Sequence, residues 1–110
     1  MEITEFKQNA IVSLGISGRL DAGTASALEQ KFLSLLDGKE NNFIIDLDQL
    51  QYISSAGLRI LLMAAKRTAA VGGHIALCSL KGSIKEVFEI SGFTAIFQIY
   101  ATREEALGSF

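Results

Sequence analysis

Apolar and polar positions alternate with a period of two through Ala10, Val12, Leu14 and Ile16 against Ile11, Ser13, Gly15 and Ser17, which predicts a strand ending at Gly18. Before it, Ile3 and Phe6 anchor a weaker alternation from about Glu2 to Lys7, and Gln8-Asn9 supplies the turn of a hairpin. After the loop Gly18–Thr24 the period lengthens. Leu28, Phe32, Leu35 and Leu36 share one helical face, so a helix is expected over about Thr24 to Asp37, capped by Asp21 or Thr24 and stopped by Gly38. Phe43, Ile44, Ile45 and Leu47, with Asp46 among them, read as a strand covered on both faces.

Leu58, Leu61, Leu62 and Ala65 stand at i, i+3, i+4 and i+7 and mark a second helix that opens near Ser55 and closes at Val71-Gly72-Gly73. His74 to Ser79 forms the next expected strand. Ser83-x-x-Glu86 is a capping-box pattern opening a short helix with Ile84, Val87, Phe88 and Ile90 apolar, stopped by Ser91-Gly92. Ala95 to Tyr100 reads as a last strand, and Thr102-x-x-Glu105 opens a terminal helix carrying Ala106 and Leu107. The order β-β-α-β-α-β-α-β-α implies an α/β fold: a mixed, mostly parallel sheet of about five strands with about four helices and right-handed crossovers.

With 110 residues, 49% of them hydrophobic, the whole chain, 1–110, is expected to form one domain around one core. A net charge of −2 with scattered Lys and Arg argues against nucleic-acid binding. The N-terminus lacks the basic start and apolar run of a signal peptide, and no stretch is long enough to span a membrane, so a cytoplasmic protein is expected. Cys78 stands in an apolar alternation and reads as a buried, inert thiol. His74 is the sole histidine and there is no Cys/His cluster, so no metal, cofactor or catalytic residue is expected.

Chemistry concentrates in Ser54-Ser55-Ala56-Gly57, between the apolar strand and the second helix. A serine there can cap the helix by accepting from an unpaired backbone N–H. The same helix end is electropositive and favours an added phosphate on Ser54 or Ser55. Small neighbours let another backbone or a nucleotide approach closely. Both this segment and Gly18–Thr24 fall at carboxyl ends of strands, where open sheets gather their sites, and they are candidates for one surface. A serine hydrolase would need Gly where Ile53 stands, and His74 lies near another strand.

Gly18-Arg-Leu-Asp21, Ile44-Ile-Asp-Leu47 and above all Tyr52-Ile-Ser-Ser-Ala-Gly-Leu58, supported by Gly72-Gly73 and Val87-Phe-Glu-Ile-Ser-Gly-Phe93, resemble the anti-sigma-factor antagonists, the free-standing bacterial members of the STAS domain family. The resemblance covers nearly the whole chain. It implies a non-enzymatic partner switch whose acceptor serine matches Ser55, with Ser54 as second choice, phosphorylated by a serine kinase that is itself an anti-sigma factor. A serine phosphatase that removes the group completes the expected partners. Many members carry Asp where this chain has Ser54. The resemblance places Asp21 on a partner-binding rim, to which Gly18, Arg19, Thr24, Ser54, Ser55, Ala56, Gly57 and Arg59 are also assigned. Arg59, one turn along, either steadies the phosphate or is a solvated helix residue. The alternative is a STAS adaptor or scaffold in a regulatory or transport assembly that is never phosphorylated.

Overall fold

The computed structural model describes all residues, Met1–Phe110. Six strands, four α-helices and one 3₁₀ turn follow in the order β1 (Glu2–Gln8), β2 (Ile11–Leu20), α1 (Ala25–Asp37), β3 (Asn42–Asp46), β4 (Leu50–Ile53), α2 (Ser55–Ala70), β5 (His74–Cys78), α3 (Gly82–Ser91), the 3₁₀ turn (Phe93–Ala95), β6 (Gln98–Tyr100) and α4 (Arg103–Leu107). The sheet runs β1-β2-β3-β5-β6, antiparallel between β1 and β2 and parallel elsewhere, while β4 pairs with the far end of β2. The expected mixed, mostly parallel α/β sheet is therefore observed, with one more strand than the apolar pattern predicts.

Gly18 is responsible for that difference. It adopts φ +83°, and the pairing register shifts between Gly18 and Arg19. A glycine with a left-handed backbone inserts a bulge without the Cβ penalty other residues carry, so it bends the strand instead of ending it. β2 runs on to Leu20, and its last residues pair with β4. The hairpin turn also lies one residue later than expected, at Asn9-Ala10, both with positive φ as a two-residue turn between twisted strands requires. Ala10 is exposed there and is not part of the strand alternation.

β3 is buried on both sides. Phe43 and Ile45 join the main core with Val12, Leu14, Ile16, Phe32 and Leu61, whereas Ile44 faces a smaller cluster that Ala106 of α4 covers. Phe32 packs against Phe43 with ring centroids 4.6 Å apart and the rings tilted by 48°, tying α1 to the sheet. Fully burying one such side chain contributes roughly 1.5–3 kcal/mol. The buried stripe of α2 is Gly57, Leu61, Ala64 and Thr68, one position round from the expected face, and Leu62 is only half-buried. Thr68 is accommodated because its hydroxyl donates to the Ala64 carbonyl at 2.7 Å.

Several expected ends are corrected. No side chain caps α1: Thr24 occupies the cap position, but its hydroxyl turns back to Asp21 and Arg19. The helix does end at Asp37 with Gly38 as its C-cap, as expected, although the left-handed conformation falls on Lys39. Ser83 and Glu86 form no capping box, because α3 starts earlier, at Gly82 with φ +57° after Lys81. The apolar stretch from Ala95 to Tyr100 is strand only over Gln98–Tyr100. Thr102 does cap α4, accepting from the Glu105 N–H at 3.1 Å.

Cys78 is fully buried, and burial pushes its thiol up to about 11, with lesser opposing help from Ser79. A folded thiol that ionises later than an unfolded one contributes stability that is whole below about pH 8.5 and lost as pH rises towards the folded value. Iodoacetamide at pH 8 should leave Cys78 unmodified in the native protein and label it completely in denaturant, as read by intact mass.

Candidate functional site

Parallel pairing of β2 with β4 sets Arg19 opposite Tyr52 and Leu20 opposite Ile53. This carries the segment after β2 against the start of α2, so the two loops expected to share a surface do so. The joint is a backbone one. The Ser54 N–H donates to the Leu20 carbonyl at 2.9 Å, and the Ser54 carbonyl accepts from Leu58 at 2.9 Å as the first turn of α2 closes.

Gly57 lets the helix come this close. A Cβ built on it would stand 2.8 Å from both the Leu20 carbonyl oxygen and the Leu20 Cγ, and 2.9 Å from Ile53 Cγ1. Only a residue without a side chain fits such a gap.

The two serines have different duties. Ser54 has an extended backbone, φ −95° and ψ 174°, and its hydroxyl accepts from the Gly57 N–H at 3.3 Å as the cap of α2. Ser55 is the first helical residue, exposed, and its hydroxyl has no hydrogen-bond partner within the chain. The first turn of α2 carries no acidic residue that would oppose an anion. The exposed hydroxyl therefore stands at the positive end of a 16-residue helix.

Beside it, Asp21 and Thr24 form a hydrogen-bonded turn. The Thr24 hydroxyl accepts from the Asp21 N–H at 2.9 Å, and its proton is within reach of the Arg19 carbonyl at 2.9 Å and of Asp21 Oδ1 at 3.2 Å. Asp21 Oδ1 also accepts from the Gly23 N–H at 3.0 Å. Partial desolvation pulls the Asp21 carboxyl upward, but the hydrogen bonds from Thr24 and Gly23, with the nearby Arg19 charge, outweigh it and hold the group below the usual carboxylate range. Asp21 is thus a fixed negative charge on the rim at neutral pH.

Arg19 lies with its guanidinium 4.1 Å from the Tyr52 ring centroid and its Nε 3.6 Å from Asp21 Oδ2. Tyr52, 41% exposed, extends the rim with an aromatic face. It belongs to the motif but not to the expected site, and the available signal was its outward register between the buried Leu50 and Ile53. Gly18 shapes the rim through its bulge, and Ala56 is half-buried behind Ser55. Arg59 is exposed and lines a shallow groove with Leu62, Met63, Lys66, Arg67 and Ala70 along the outer face of α2. His74 opens β5, the end of the sheet opposite to the serines, and packs edge-on against Phe110 with centroids 4.4 Å apart.

A family model of the STAS domain matches residues 3–106. The chain is 39% identical over 110 residues to BtrV of Bordetella bronchiseptica, described as a candidate anti-sigma factor antagonist, with 100% of this chain and 95% of that relative covered. The crystal structure of a candidate anti-sigma factor antagonist from Thermotoga maritima has the same fold, with a TM-score of 0.93 at 21% identity over 97% of this chain and 92% of that one. So does Bacillus SpoIIAA in its phosphorylated form, with a TM-score of 0.78 at 22% identity over 98% of each chain.

Proposed function

This chain belongs to the STAS domain family, and on that premise we propose that it is an anti-sigma-factor antagonist working by partner switching, with Ser55 as its phosphate acceptor. The observation that carries the reading is the division of labour at the start of α2: Ser54 is committed to capping the helix, while Ser55 is exposed and free of internal partners. The relative BtrV is described as a candidate anti-sigma factor antagonist.

Unmodified, the protein docks on a serine-kinase anti-sigma factor in the cytoplasm through Ser54–Gly57 and the rim formed by Gly18, Arg19, Asp21 and Thr24. The kinase then releases its sigma factor or other client. The chain performs no catalysis itself. The kinase transfers the γ-phosphoryl group of ATP to Ser55 Oγ, the hydroxyl proton passes to a base on the kinase, and ADP leaves. The product carries about −1.5 to −2 additional charge at neutral pH.

Inside the protein this charge is well placed, because the positive end of α2 and its free N–H groups face it. At a fitted interface beside the nucleotide phosphates it meets like charge and must be desolvated, so the complex weakens. The switch needs no refolding. A serine phosphatase resets it by hydrolysis.

Incubation with the cognate kinase and ATP should add one phosphate, mapped to Ser55 by fragmentation mass spectrometry. Ser54→Ala should still be labelled and Ser55→Ala should not. Labelling that follows Ser54 instead moves the acceptor, and no labelling by any such kinase favours the adaptor reading.

A further inference from the structure

β1 forms one edge of the sheet and pairs only with β2. The two-residue turn closes on the pair Gln8–Ile11, which is hydrogen-bonded in such a hairpin, so Gln8, Phe6, Thr4 and Glu2 direct their backbone groups at β2. The N–H and C=O groups of Ile3, Glu5 and Lys7 point outward and unpaired. On the helix side of this strand, Glu5 pairs with Lys31 of α1, and Lys7 pairs with Glu40 at 2.6 Å. On the other side Phe6 is 54% exposed, with the Arg103 guanidinium 5.0 Å from its ring centroid.

We infer that this edge is self-complementary and that its occupant is β1 of a second copy, paired antiparallel about a two-fold axis through Phe6. Two-fold pairing must bring residues of one face opposite each other, which limits the choice of centre. A centre at Glu5 or Lys7 sets like charges in direct opposition, and a centre at Thr4 sets Glu2 against Phe6 and Glu5 against Ile3. The centre at Phe6 instead opposes Glu5 with Lys7 of the second copy, twice, and Thr4 with Gln8, twice.

The backbone agrees with that choice. Glu5 and Lys7 own the outward-facing groups, so the two Glu5–Lys7 pairs are the hydrogen-bonded ones, and Phe6 meets Phe6 at the closer, non-hydrogen-bonded position. The charges then alternate across the junction in the order Lys31, Glu5, Lys7, Glu40, the last two from the second copy. The same charges discourage pairing with most other strand edges. Phe6 lies opposite Ser13, five residues or roughly 17 Å along β2 from Gly18, so both Ser55 surfaces stay clear.

The experiment uses the full chain with single cysteines introduced at exposed positions, Thr4→Cys, Glu5→Cys and Phe6→Cys, under mild oxidation, together with sedimentation of the unmodified protein over a concentration series. Phe6→Cys should form a disulfide dimer at least tenfold faster than the other two. The unmodified protein should show a dimer fraction that grows with concentration, and Glu5→Lys should weaken dimerisation at least tenfold. Equal crosslinking rates, a monomer at every concentration, or fastest crosslinking through Thr4→Cys would overturn the proposal.

Discussion

Ser55→Asp is expected to lower affinity for the proposed partner kinase at least a hundredfold, equivalent to about 2.8 kcal/mol at 1.4 kcal/mol per tenfold, while Ser55→Ala should bind within about threefold of the parent and resist being switched off. On the proposed mechanism, the carboxylate puts a permanent charge at the point where the kinase docks. Leaving an uncompensated charge buried costs about 3–5 kcal/mol, enough to account for the loss. Misfolding is separable from this effect. An acidic side chain in the first turn of a helix stabilises it by about 0.3–1 kcal/mol, so Ser55→Asp should melt at or slightly above the parent temperature. Calorimetric titration with the kinase and a thermal scan of each variant check both statements. Parent-like binding by Ser55→Asp would contradict the mechanism.

Gly57→Val is expected to destabilise the fold by about 2–3 kcal/mol, the upper part of the range for forcing extra volume into a packed site. Its Cβ would lie 2.8 Å from the Leu20 carbonyl and 2.9 Å from Ile53 Cγ1. That carbonyl cannot retreat freely, since it accepts the Ser54 N–H across the β2 to α2 joint. For a chain of this size the melting temperature should fall by on the order of 10–15 °C. Kinase labelling of Ser55 should fall as well, because the first turn of α2 no longer seats against β2. Gly23→Ala is the control: its Cβ meets nothing nearer than Asp21 Oδ1 at 3.5 Å, and its melting temperature should barely change. A stable Gly57→Val protein would show that the close packing at Leu20 is dispensable.

The segment Ser54–Gly57 that opens α2 was legible because its physics is local. Small residues between an apolar strand and a 3.6-period helix define a cap and an approach surface without reference to the rest of the chain. β3 was legible for a similar reason, since an unbroken apolar run must be covered on both faces. β4 escaped because it has only four residues, the middle two exposed, and exists by pairing with a bulged extension of β2. A glycine can end a strand or bend it, and the choice at Gly18 depends on a partner strand more than thirty residues away. Capping motifs divided in the same way. Thr102 caps α4, whereas Ser83 is overruled by the left-handed backbone of Gly82, and Thr24 uses its hydroxyl to brace the Asp21 turn. That turn, with Arg19 laid over Tyr52, gives the rim its shape, and it arises from tertiary pairing that apolar periodicity does not encode.

On this proposal a single exposed hydroxyl at the N-terminus of α2 gates docking by its charge, with the fold unchanged. Unmodified protein and protein fully phosphorylated at Ser55 are each titrated into the cognate kinase with nucleotide bound, at one ionic strength. The expected result is a loss of affinity of at least a hundredfold on phosphorylation, with superposable backbone amide spectra away from the first turn of α2. Equal affinity for the two forms would contradict it.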